Sequence, residues 1–126
     1  MGMTRTDTRK ELLYTRQTVV TYAKAYDLDA IDLVCIQFRD ENVLLEECLE
    51  GSQMGFTGKQ AIHPNQIQAI TKAFAPPQAQ VDFAKKILDQ YEIHSSEGKG
   101  AYEVDGKMID MPMVKWARNI VARAIV

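Results

Sequence analysis

The sequence predicts an α/β fold: a parallel β-sheet unit followed by an appended helix, hairpin and helix. Three observations predict it. Two short runs, 30–36 and 58–63, carry strand character, and the first is nearly continuous in apolar, β-branched residues, as in a strand buried on both faces. Helical periodicity flanks and separates these runs, with short connections. After Ala75-Pro76-Pro77 the alternation stops and a different pattern begins.

The first helix is predicted over 8–26. Leu12, Leu13, Arg16, Val19, Val20 and Ala23 recur at helical spacing, with no Pro or Gly between them. Asp27-Leu28-Asp29 ends it, and the first strand follows as Ala30-Ile31-Asp32-Leu33-Val34-Cys35-Ile36. The second helix is predicted from Glu41 to Met54, with Asp40 as its N-cap. Its acidic residues Glu46, Glu47 and Glu50 read as a solvated face, and Gly51 and Gly55 as punctuation near its end. The second strand, 58–63, ends in His63-Pro64, and Pro64 opens a third helix through Ile67, Ile70 and Ala73 to Phe74.

Helix, strand, helix, strand, helix is the rhythm of a right-handed parallel unit. Two parallel strands cannot cover both their faces and both their edges. Two explanations stand for this pattern. One is a small α-rich domain with a two-stranded ribbon. The other is a larger sheet whose upstream half lies outside this chain.

The remainder predicts a fourth helix over 78–94, with Val81, Ala84, Ile87, Leu88 and Tyr91 on one face. Residues 95–100 read as a turn, and 101–109 as a hairpin turning at Asp105-Gly106. Pro112 opens a last helix, 113–125, striped by Val114, Ala117, Ile120, Val121 and Ala124. The domain boundary therefore falls between 1–75 and 76–126.

Composition narrows the function classes. Hydrophobic residues make up 46% and charged residues 25% of the 126, an ordinary globular balance. The net charge of -2 gives no basic footprint for nucleic acid or an anionic membrane. No apolar run approaches the roughly 20 residues that span a bilayer. The start, Met1 to Asp7, is polar, lacks the apolar core of a secretory signal and reads as a frayed or engineered end. Cys35 and Cys48 show no metal or redox spacing and read as buried free thiols in a reducing compartment.

Three segments arrive together and in order: Ala30-Ile31-Asp32, the run from Gly55-Phe56-Thr57-Gly58-Lys59 through Ile62-His63-Pro64-Asn65-Gln66-Ile67, and Met108-Ile109-Asp110-Met111-Pro112. This set closely resembles the C-terminal part of the citrate lyase β-subunit-like proteins, within the HpcH/HpaI aldolase and citrate lyase family. The likeness covers nearly the whole chain. It implies a (β/α)8 barrel of the TIM type, with 30–36 as strand seven, 59–63 as strand eight and residues 76–126 as a C-terminal extension. It also implies a homo-oligomer, commonly a trimer.

The implied chemistry is Mg2+-dependent cleavage or formation of carbon–carbon bonds in malyl-CoA, citramalyl-CoA or related acyl-CoA thioesters, including malate synthase-type joining. The implied partners are a CoA thioester and a small 2-oxo acid. In the family the Mg2+ ligands come from earlier strands, so no metal ligand is assigned here and the chain is expected to be incomplete alone. The alternative is a non-catalytic interaction module, or a truncated fragment, that associates with full-length family members. The expected location is the mitochondrial matrix in a eukaryote or the cytoplasm in a bacterium.

The resemblance assigns Asp110 as the acid/base that moves a proton at the carbon next to the thioester carbonyl. Its position before Pro112 equally suits a helix cap. Asp32 lies inside an apolar strand, where a carboxylate must be paired. It is expected either in an ion pair or on the substrate side. Arg39 follows the first strand, where it would meet a CoA phosphate or remain solvated. Asn65 lies where backbone N–H groups and Lys59 could attract phosphate, although Lys59 at a strand start is expected to be structural. His63 is expected to be a hydrogen-bonded anchor, and His94 to sit at a solvated helix end.

Overall fold

The computed structural model describes residues 2–96, 98 and 101–124. It divides into two compact units, Met1–Phe74 and Ala75–Val126.

In the first unit, helix α1 spans Leu13–Ala25, led in by a 3-10 turn at Lys10–Leu12. It starts later than its periodicity suggests because Arg9 adopts φ 55°, a left-handed conformation that no right-handed helix contains. Strand β1 is Ile31–Asp32, helix α2 is Glu41–Met54, strand β2 is Gly58–Lys59 and helix α3 is Ile67–Phe74. Asp40 caps α2 as expected, its carboxylate accepting from the N–H groups of Asn42 at 3.1 Å and Val43 at 3.3 Å.

β1 and β2 pair in parallel, Ile31 with Gly58 and Asp32 with Lys59. The N–H of Thr57 donates to Ala30 O at 2.8 Å, and that of Gln60 to Asp32 O at 3.1 Å. Both strands are far shorter than the runs 30–36 and 58–63. Among the described residues each has only the other as a neighbour, and after Asp32 the Leu33 N–H turns to the Asp32 carboxylate at 2.8 Å.

Burial on both faces is also not what this chain displays. Ala30, Asp32 and Cys35 are buried, but Ile31 and Ile36 are each 59% exposed. The covered side packs Ala30, Cys35 and Phe56 against Val20 and Ala23 of α1, Leu44 and Cys48 of α2, and Ile70 and Phe74 of α3. Cys35 and Cys48 are free and buried, and burial pushes both thiols above the usual cysteine range.

The polar start is docked rather than frayed. Arg5 Nη2 donates to Val34 O at 2.8 Å, and Arg9 reaches Glu47 Oε1 at 3.1 Å and Glu50 Oε2 at 2.5 Å. Carboxylates facing inward from α2 recruit these cations.

In the second unit, helix α4 is Gln78–Ser96, strand β3 is Tyr102–Val104, strand β4 is Lys107–Ile109 and helix α5 is Met111–Ala124. Ser95 and Ser96 thus belong to α4 rather than to the turn. Residues 97, 99 and 100 of that turn, and 125 of the last helix, lie outside the described residues. β3 and β4 are antiparallel, with Tyr102 opposite Ile109 and Val104 opposite Lys107. Asp105 and Gly106 at the turn both have positive φ, 48° and 78°, which matches the right-handed twist of a hairpin. Val81, Ala84 and Ile87 of α4 pack with Ile109 and with Val114, Ala117 and Ile120 of α5. The Tyr102 hydroxyl ties the hairpin to α4 by donating to Ile87 O at 2.9 Å.

Candidate functional site

Three places hold the residues singled out from the sequence. The first is a buried ionic network between the strand pair and its helices. Arg16 grips Asp32 at two points, Nε to Oδ1 at 3.0 Å and Nη2 to Oδ2 at 2.8 Å. Its third nitrogen donates to Glu50 Oε1 at 2.8 Å. Burial opposes the charge on Arg16, but the hydrogen bonds to Asp32 and Glu50 outweigh it and raise its pKa. Burial likewise opposes charge on Glu50, and the Arg9 and Arg16 guanidiniums outweigh it and lower its pKa.

Lys59 and Asp32 have no exposed side-chain surface. Lys59 Nζ lies 3.0 Å from Glu47 Oε2 and 3.9 Å from Asp32 Oδ2. The Lys59–Glu47 pair has ion-pair distance without good hydrogen-bond angles, so its attraction is chiefly Coulombic.

This network corrects one expectation and bears out another. Glu47 is 4% exposed and forms no solvated face; of that helix's carboxylates only Glu41 and Glu46 are fully open. Lys59 is structural, as expected at a strand start: its ammonium is enclosed and cannot reach a phosphate. Asp32, expected either to pair or to touch substrate, is paired. Side chains alternate across a strand, so Asp32 and Lys59 face the helices while neighbouring Ile31 faces the bare side.

The second place is the rim at the C-terminal ends of β1 and β2. The rings of Phe38 and His63 stack with centroids 5.2 Å apart, and the Arg39 guanidinium lies 5.2 Å from the Phe38 ring centroid. The Asn65 side chain donates to Phe38 O at 3.0 Å, while its N–H donates to His63 Nδ1 at 3.2 Å. His63 is therefore a turn anchor, and the Asn65 N–H already has a partner. Arg39 and Asn65, 26 positions apart, come to one end of the strand pair, and both are exposed.

The third place belongs to the second unit. Asp110 Oδ1 accepts from the Met113 N–H at 3.0 Å, so Asp110 caps α5. Its Oδ2 makes no hydrogen bond among the described residues. Asp110 borders a hollow of about 200 Å³ lined also by Tyr91, Ser95, Tyr102 and Ile109. His94 is half-buried rather than solvated, stacked on Tyr102 with centroids 5.0 Å apart.

The described residues do not offer a fit for Mg2+. Among the described residues no three His, Cys, Asp or Glu side chains converge on one point. The buried carboxylates of Asp32 and Glu47 and the half-buried one of Glu50 are occupied by Arg and Lys.

Sequence reading missed two residues. Gln66 is 1% exposed, and its amide joins the two rim segments. Gly51 is no helix terminator: a Cβ there would lie 2.5 Å from Asp32 Oδ2. The signal for Gly51 was available, since a glycine inside a helical pattern marks a close approach as readily as an end.

Comparison with known proteins matches residues 10–126 to the family described as C–C bond lyase of the TIM-barrel fold. The chain belongs to that family. The resemblance carried by the three sequence segments is thereby confirmed. Among C–C bond lyases, the chain is 47% identical over 124 residues to the mitochondrial citramalyl-CoA lyase of Mus musculus, covering 98% of this chain and 37% of that one. It is 34% identical over 114 residues to the citrate lyase subunit beta of Escherichia coli strain K12, covering 90% of this chain and 38% of that one. The solved structure of CitE from Mycobacterium tuberculosis, in complex with magnesium, acetoacetate and coenzyme A, aligns with a TM-score of 0.67 at 27% identity. That alignment covers 100% of this chain and 46% of that chain. The chain thus spans 37–38% of the length of these curated relatives.

Proposed function

We propose that this chain supplies part of the barrel of an acyl-CoA carbon–carbon lyase of the citramalyl-CoA or malyl-CoA type, with malate synthase-type joining as related chemistry. In this reading β1 and β2 are barrel strands seven and eight, and the second unit is the C-terminal extension. One observation carries the reading. The parallel pair is packed by helices on one face and left bare on the other, where Ile31 is 59% exposed. A barrel strand has helices outside and the side chains of other strands inside.

In such barrels the site lies at the C-terminal ends of the strands, the end to which Arg39 and Asn65 come. Arg39 suits a CoA phosphate. Asn65 suits a polar group of the thioester or the 2-oxo acid. Asp32 does neither in this reading, because Arg16 holds it on the helix side. Asp110 serves as acid/base: the α5 cap fixes one oxygen and leaves the other open to take or return the proton at the carbon beside the thioester carbonyl. In this reading Mg2+ takes ligands from the upstream part, since the described residues bring no metal-holding group together. A homo-oligomer, in the mitochondrion of a eukaryote or the cytoplasm of a bacterium, completes the reading.

The test is Asp110→Asn in this chain co-assembled with the upstream part of the mouse citramalyl-CoA lyase. Citramalyl-CoA cleavage is expected to fall by about 10²-fold or more with assembly intact. Cleavage at the wild-type rate would remove Asp110 from the chemistry. The same bare face favours a second reading, an interaction module that binds full-length relatives; assembly without any gain in cleavage would select it.

A further inference from the structure

We infer that Gln66 is a positioning residue that continues the β1–β2 register beyond the end of the backbone ladder and so locks the two rim turns together. The backbone ladder ends with Gln60 N–H on Asp32 O. Beyond that bond the two segments would separate, since no further backbone bond joins them among the described residues. The Gln66 amide fills the gap. Its Nε2 donates to Cys35 O at 3.1 Å, and its Oε1 accepts from the Ile62 N–H at 2.9 Å.

The spacing gives this bridge its meaning. Ala30 pairs with Thr57 and Phe38 with Asn65, each at a separation of 27 positions. Ile31 with Gly58 and Asp32 with Lys59 share that separation, and so do Cys35 and Ile62. One register therefore runs from Ala30 to Phe38. Backbone bonds hold its first part, the Gln66 side chain its middle and the Asn65 side chain its end. A side-chain amide has the same planar donor and acceptor as a peptide group, so Gln66 acts as a short surrogate for the missing stretch of ladder.

The consequence is local. Phe38 and Arg39 are held beside His63 and Asn65 because the segments leading to them are clamped at Cys35 and Ile62. That these turns are the substrate end rests on the proposed function; the clamp itself does not.

Amide hydrogen exchange and proton chemical shifts of the full chain test it. Gln66→Met keeps the length and removes the hydrogen bonds. Gln66→Glu keeps an acceptor for Ile62. The Met variant is expected to speed exchange at the Ile62 N–H roughly tenfold, the scale of one buried hydrogen bond, with the Thr57 and Gln60 amides unchanged. The Glu variant is expected to restore Ile62 protection. Asn65→Ala, at an exposed site, is expected to weaken the ring-current shifts of the Phe38–His63 stack while Ile62 stays protected. Unchanged Ile62 exchange in the Met variant overturns the inference, as does equal acceleration at all three amides or an unaltered ring stack in both the Met and Ala variants. None of these readouts depends on catalysis, so the clamp and the lyase reading can fail separately.

Discussion

Arg16 holds Asp32 by two hydrogen bonds, at 3.0 and 2.8 Å, in a space where the Asp32 side chain has no exposed surface. This pair fixes α1 against β1. Around it, Lys59, Glu47, Glu50 and Arg9 interlock so that each buried charge has an opposite neighbour. Breaking a buried pair costs more than replacing it, because the partner left behind is charged and dry. Arg16→Met and Asp32→Leu are each expected to lower stability by about 3–5 kcal/mol in urea unfolding. The double variant should lose clearly less than the two single losses combined. Strict additivity would mean that the two side chains do not depend on each other.

Gly51 lets α2 approach that pair. A methyl group there would fall 2.5 Å from Asp32 Oδ2 and 3.4 Å from Phe74 Cζ. Alanine is ordinarily the better helix former. Here Gly51→Ala is expected to destabilise by about 1–3 kcal/mol, the usual cost of overpacking, measured by thermal unfolding. A stabilised variant would show that α2 can move off β1 freely.

Glu50 sets the response to acid. Its carboxyl is half-buried, which alone would raise its pKa, but Arg9 and Arg16 hold it below the usual carboxylate range. The unfolded chain therefore binds a proton at Glu50 more readily than the folded one. Its contribution is complete above the ordinary glutamate value of about 4.3 and is lost as pH falls through the lower folded value. Glu50→Gln is expected to flatten the acid limb of the stability profile while lowering stability at neutral pH. An identical acid slope in that variant would remove Glu50 from the account.

Local features were legible and distant partners were not. Asp40 and Asp110 as helix caps, and Asp105-Gly106 as a hairpin turn, each depend on a few adjacent residues, and the structure has them where the sequence puts them. Strand length was not legible, because a strand extends only as far as its neighbour pairs with it, and among the described residues β1 and β2 have only each other. The ionic network was invisible for another reason. Arg16 and Asp32 lie 16 positions apart, and Arg9 and Glu50 lie 41 apart. An acidic helix face looks solvated until the cations that meet it are placed. At the rim, Arg39 and Asn65 were found by their place after each strand, whereas Gln66 looked like one more polar residue in a helix.

The bare side of the strand pair is the centre of the account, and cleavage by a reassembled barrel tests it most directly. This chain is mixed with the upstream part of the mouse citramalyl-CoA lyase, and release of acetyl-CoA from citramalyl-CoA is followed. The prediction is release by the mixture, by neither part alone, and not by a mixture carrying Ile31→Asp, whose charge would face the other strands. A mixture that stays inactive while this chain remains a monomer, or one in which Ile31→Asp works as well as the native sequence, would contradict it.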